Sequence, residues 1–225
     1  MNSRLLNILV AALALFSFIQ LHGQSSYQIG ALPLINLHHK LPNNWSLNFK
    51  HESRHVFQSG ISEGPTISEY DYVLSDFGGL ASKKFGLNSK VGGGYLIRLR
   101  DDEMIHRFIQ QYTFVQQHSS LRFAHRIVSD QTLTPELPAT FRLRYRLASE
   151  IPLSGQVVDV KELYIKLSGE ALNILQNNKY GLELRAVPLF GYVVHQSHKL
   201  ELGVDYRFTQ NNDHRFWGAI KWYIE

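Results

Sequence analysis

The sequence predicts an all-β chain, a transmembrane antiparallel up-and-down β-barrel of ten or twelve strands. Three observations carry this reading. Beyond residue 24 the chain breaks into runs of about 10 to 15 residues in which apolar and polar side chains alternate, the period of a strand with two unlike faces. These runs exceed the about 5 to 6 residues of an ordinary strand and reach the roughly 9 to 11 that a tilted strand needs to cross hydrocarbon. One face of each run is greasy, while the other carries both signs of charge on neighbouring runs, which suits a narrow lumen where charges must be paired or hydrated.

The N-terminus comes first. MNSR precedes the apolar LLNILVAALALFSFIQL and then HGQSS, the order of a secretory signal peptide, with the cut expected after Gly23 and residues 24–225 forming the barrel domain. The rival reading is a membrane anchor, since Leu5 to Leu21 approaches the length of a short spanning helix. No later segment is long and apolar enough to span as a helix.

Strands are then expected near 28–37, 44–54, 69–81, 86–100, 104–117, 119–130, 139–152, 161–174, 180–194, 198–209 and 214–224. They are separated by turn chemistry such as LPNN, KKFG, QNNK and QNNDH, where Asn, Gly and Asp tolerate positive φ and Pro presets a turn. In the second run Trp45, Leu47 and Phe49 oppose Lys50, Glu52 and Arg54, and in the sixth Leu121, Phe123 and Ile127 oppose Arg122 and Arg126. The seventh, TFRLRYRLASEI, is the clearest: Phe141, Leu143, Tyr145 and Leu147 share one face, Arg142, Arg144, Arg146 and Glu150 the other. The eighth sets Leu163, Ile165 and Leu167 against Glu162, Lys166 and Glu170, and the ninth sets Leu182, Leu184 and Phe190 against Glu183 and Arg185. The last two repeat the division, with Leu200, Leu202 and Val204 against Glu201, Asp205 and Arg207, then Phe216, Ile220 and Trp222 against Lys221. Aromatic residues near strand ends on the greasy face, among them Trp45, Phe85, Tyr145, Tyr192, Phe208 and Trp222, resemble the interfacial girdles of outer-membrane barrels.

Eleven runs conflict with the even count of bacterial barrels whose termini share one side. Starting at Trp45 gives ten strands; segment 28–37 is then an odd strand, or one of a pair in a barrel of twelve. That frame puts long loops at one rim and short turns at the other.

Composition narrows the function classes. Lys and Arg total 23 against 19 Asp and Glu, with no polybasic block, so no nucleic-acid partner is expected. The absence of Cys excludes disulfide scaffolds and thiolate metal sites. Several fragments, namely GGGYLIR, HRFIQQY, AHRIVSDQT, FRLRYRL, ELRAVPLFGY and KLELGVDYR, resemble the exported proteins of Bacteroidetes-type bacteria grouped as domain of unknown function 2490. The resemblance implies an outer-membrane β-barrel without an assigned activity and carries over no catalytic residues.

The candidate site is therefore the charged face itself: Arg122, Arg126, Arg142, Arg144, Arg146, Glu150, Glu162, Lys166, Glu170, Glu183 and Arg185. As a structural filling these side chains neutralise one another in a small bore; as a functional one the arginines favour a small anionic solute. The partner expected outside the wall is outer-membrane lipid. Neither cofactor nor metal is expected: adjacent His38 and His39 point to opposite faces, and His51, His55, His195 and His198 fall at strand ends or in a turn. No enzyme motif of the GxSxG or HExxH type occurs, although His125 and Ser129 on one greasy face leave open a barrel enzyme acting on membrane lipids. A secreted soluble barrel with an apolar ligand inside is the remaining alternative. The triple glycine at 92–94 precedes no helix and marks a bend or close approach in a strand.

Overall fold

Every alternating run forms a strand in the computed structural model, which describes residues 25–118 and 121–225. The expected signal peptide and Ser119 of the expected turn lie outside these residues. The order is β1 (Ser26–Lys40), β2 (Trp45–Ile61), β3 (Thr66–Ile67), β4 (Asp71–Phe85), β5 (Ser89–Arg100), β6 (Glu103–His118), β7 (Leu121–Leu133), β8 (Thr140–Pro152), β9 (Leu163–Gln176), β10 (Lys179–His195), β11 (His198–Thr209) and β12 (Asp213–Ile224). Sequence neighbours are spatial neighbours throughout, and all long neighbours from β1 to β12 in the chain are antiparallel, giving an up-and-down meander.

The wall closes through the segment whose place parity left open. β1 runs antiparallel to β2 on one side and parallel to β12 on the other, with Gly30 opposite Trp217 and Leu37 opposite Ile224. Eleven strands thus form the closed wall, and the two-residue β3 lies beside β2 as the twelfth strand of the sheet. An odd count makes the first and last strands parallel, so residues 25 and 225 lie at opposite rims. The upper rim carries Ser26 and the connections 62–70, 101–102, 134–139, 177–178 and 210–212; the lower rim carries 41–44, 86–88, 153–162, 196–197 and Glu225. This grouping of connections is the expected one, but their lengths do not divide by rim, since the lower rim holds the ten-residue connection after β8.

Turn chemistry fixes the hairpins. Asn43 with Asn44 and Asn177 with Asn178 take positive φ in succession, the backbone of a two-residue turn whose twist matches that of its flanking strands. At the triple glycine a Cβ on Gly94 would stand 2.5 Å from the Gly79 carbonyl oxygen, so β4 and β5 approach there as no side chain would allow.

Polarity is inside-out relative to a water-soluble barrel. Phe49, Phe77, Phe108, Phe141, Leu143, Leu163, Phe190, Leu202 and Ile220 all face outward and are exposed, whereas Glu52, Asp76, Arg107, Asp130, Glu170, Asp205 and Arg207 face inward and are buried. By strand parity the one charged side chain on the outer face of the long strands, among the described residues, is Lys83 near the lower rim, lying over the Trp45 ring. The true apolar core is small: Leu32, Val56 and Trp217 cluster inside the wall where β1, β2 and β12 meet.

Candidate functional site in the barrel interior

Strand register builds the site. Because cross-strand partners share a face, Arg142 falls opposite Asp130, Arg146 and Arg185 opposite Glu170, and Arg98 opposite Asp76, all pointing into the bore. Arg98 grips Asp76 with two parallel bonds of 2.7 and 2.8 Å, and Arg207 grips Asp205 with bonds of 2.8 and 3.0 Å, the bidentate geometry that makes arginine a strong carboxylate partner.

Two carboxylates act as hubs. Asp130, 1% exposed, accepts a 2.6 Å bond from Arg142 and lies 3.5 Å from Arg144 and 3.7 Å from Arg107. Glu170 accepts a 2.8 Å bond from Arg146 and has Arg185 at 3.0 Å and Arg144 at 3.6 Å. Arg144 therefore links the hubs, and each carboxylate serves three guanidiniums. Glu183 joins Arg185 to Arg215, and Glu52 lies between Lys50 and Arg54, whose guanidinium also covers the Trp217 ring. Nearer the lower rim, Glu201 accepts bonds from the Tyr164 hydroxyl (2.9 Å) and Lys166 (2.8 Å), and Lys166 also reaches Glu150 at 3.1 Å. The result is a belt of ion pairs contributed by nearly every strand of the wall.

Most of the residues expected from sequence meet in this belt: Arg142, Arg144, Arg146, Glu150, Lys166, Glu170, Glu183 and Arg185. Three do not. Glu162 lies in the connection before β9, where its side chain accepts a 3.2 Å bond from the Asp159 backbone N–H, because β9 begins two residues later than the alternation suggests. Arg122 stands opposite Glu150 in register, but that carboxylate pairs with Lys166; Arg126 stands opposite Arg146. Among the described residues neither Arg122 nor Arg126 has an ion pair, and both are exposed to the bore.

Sequence reasoning missed Asp76, Arg98, Arg107 and Asp130. Continuing the parity of Arg122 and Arg126 by four residues reaches Asp130, so that hub was legible in principle. The other three sit on strands whose inward faces also carry Leu74, Leu96 and Ile105, which blurs the division between a charged face and a greasy one.

The belt leaves space. A cavity of about 900 Å³ surrounds it, and a second of about 930 Å³ opens toward the lower rim; they share Asn36, Lys50, Gln111, Thr113, Arg122 and Arg126 as walls. On the outer face, His125 has both ring nitrogens engaged, Nδ1 with the Tyr145 hydroxyl at 2.8 Å and Nε2 with the Gln116 amide oxygen at 3.1 Å, and it stacks on Phe114. Ser129 is not among its partners, being opposite Leu143 and Gln110. Among the described residues no three His, Asp or Glu side chains converge as metal ligands.

A family model described as protein of unknown function (DUF2490) matches residues 30–217. The chain belongs to the DUF2490 family. No curated protein and no solved structure matches it. The DUF2490 span opens at Gly30 and ends at Trp217, which are register partners across the closing β1–β12 seam, and it contains both carboxylate hubs.

Proposed function

We propose that this DUF2490 protein is a bacterial outer-membrane barrel whose ion-pair belt fills and braces a narrow bore, and that it is not an enzyme. The observation that carries the reading is the polarity of the wall: large apolar side chains outside, charge inside, and Lys83 as the one charge on the outer strand faces among the described residues. A soluble barrel holding an apolar ligand needs the opposite arrangement. In lipid, closure of the wall satisfies every strand edge, which an open sheet cannot do.

Aromatic placement supports the same environment. Trp45, Phe85, Tyr192 and Trp222 point outward near the lower rim, and Phe57, Tyr180 and Phe208 toward the upper rim, while Tyr145 lies closer to mid-strand. Tyr–His contacts recur on this surface, Tyr95 with His106 and Tyr206 with His214, giving outward aromatic side chains the polar tips that interfacial residues have. His125, held between Tyr145 and Gln116, reads as part of that surface and not as a general base.

A bore of eleven strands lies between the eight whose interior side chains fill it and the sixteen or so that leave an open aqueous channel. The charged residues of its belt are occupied with one another, which favours bracing over conduction. The test is fractionation of cells producing the full chain: recovery in outer-membrane lipid, with slower or faster gel migration before heating than after, is the expected result. A chain that stays soluble without detergent overturns the proposal.

A further inference from the structure

The belt uses its own carboxylates, but among the described residues the cavity at the lower rim is lined by none. Its walls carry Lys50, Lys84, Lys90, Arg122 and Arg126, with Lys40 at the lip, and no Asp or Glu. Lys40 pairs with Glu225 and Lys50 with Glu52; Lys84, Lys90, Arg122 and Arg126 have no ion pair among the described residues. Amide and hydroxyl groups of Gln111 and Thr113 lie between the lysines of β4 and β5 and the arginines of β7.

Register makes this arrangement costly when empty of anions. Lys84 is directly opposite Lys90, and Arg126 directly opposite Arg146, so like charges face one another on the inward surface, a juxtaposition that destabilises a sheet. In the belt such crowding is relieved by Asp130 and Glu170. At the lower rim no carboxylate among the described residues pairs with Lys84 or Lys90.

We infer that this vestibule binds a soluble, phosphate-bearing small anion, with Lys84 and Lys90 taking one anionic group and Arg122 and Arg126 another. Two strand spacings separate β5 from β7, so the two cation pairs lie about 10 Å apart along the wall, which favours a ligand with several phosphate groups over a single one. The volume of about 930 Å³ is that of a small-molecule site. The ligand enters from the aqueous end, because the strand wall separates the vestibule from the outer apolar face, where lipid would lie. This assignment does not depend on the membrane reading, since the same cavity exists in any environment that preserves the barrel.

The experiment is calorimetric titration of the folded full chain with inorganic tripolyphosphate, at constant ionic strength set with chloride. Saturable binding is expected, weakened about tenfold or more in Lys84→Gln/Lys90→Gln and in Arg122→Gln/Arg126→Gln, and unchanged in Lys179→Gln at the opposite rim. Binding that fails to exceed the chloride control, or that falls equally in Lys179→Gln, overturns the inference. So does wild-type affinity in the vestibule variants. Folding is read separately: removing the opposed lysines should raise the temperature of unfolding without ligand, and a fall instead would assign them a bracing role and sink the proposal.

Discussion

Asp130 shows how much a single carboxylate can carry in a barrel interior. It is surrounded by Arg107, Arg142 and Arg144 and almost wholly removed from solvent. Removing one partner of a buried charge cluster leaves the others uncompensated, so Asp130→Asn is expected to cost about 3 to 5 kcal/mol, whereas Lys83→Gln on the outer face near the rim should fall within roughly 0.5 kcal/mol of the parent. Urea midpoints of the refolded protein measure both. Equal effects of the two substitutions would mean that the belt does not brace the fold. The arginine ladder of β8 was legible from alternation alone, since Arg142, Arg144 and Arg146 follow one another without interruption. The partner that completes it, Asp130, was legible only by carrying the parity of Arg122 and Arg126 on to the upper end of β7, where Gln131 and Thr132 follow and the charged pattern fades.

At the scale of elements, the eleven runs were all visible, and so were their greasy faces, because outward-facing and lumen-facing positions differ sharply in chemistry. The seam at which they close was not visible. A strand's partners across the seam depend on how many strands precede them, which no local pattern states, and the usual even count pointed to ten or twelve. β1 settles the geometry by pairing with both β2 and β12, and the parallel β1–β12 contact is the signature of an odd wall. A crosslink tests it. Ile35 and Trp222 are in-register partners that both face outward, and the chain has no cysteine of its own to confuse the result. Ile35→Cys/Trp222→Cys is expected to form a disulfide on mild oxidation, since adjacent strands bring Cα atoms within the roughly 4.4 to 6.8 Å that the bond spans. Offsetting the pair to Ile35→Cys/Phe216→Cys should abolish it. Failure of the first pair would place β1 outside the wall and close the barrel between β2 and β12.

For the whole molecule, the decisive quantity is the free energy of the outer surface, which has opposite signs in lipid and in water. Leu202 lies near the middle of β11, points outward and is more than half exposed. In a bilayer, Leu202→Arg puts a guanidinium near the hydrocarbon midplane at a cost of about 2 to 4 kcal/mol, while the same change close to the rim, at Leu200, costs roughly 0 to 1 kcal/mol. In water neither replacement buries a charge, so both should change stability by no more than about 0.5 kcal/mol. Unfolding from liposomes, followed by the loss of the unheated gel band with urea, therefore distinguishes the two environments by the dependence of the cost on depth. A steep dependence is expected, with Leu202→Arg the more damaging of the pair. Equal and negligible costs at both positions would show that these apolar faces are covered by something other than lipid, since so much greasy surface does not remain open to water in a stable monomer.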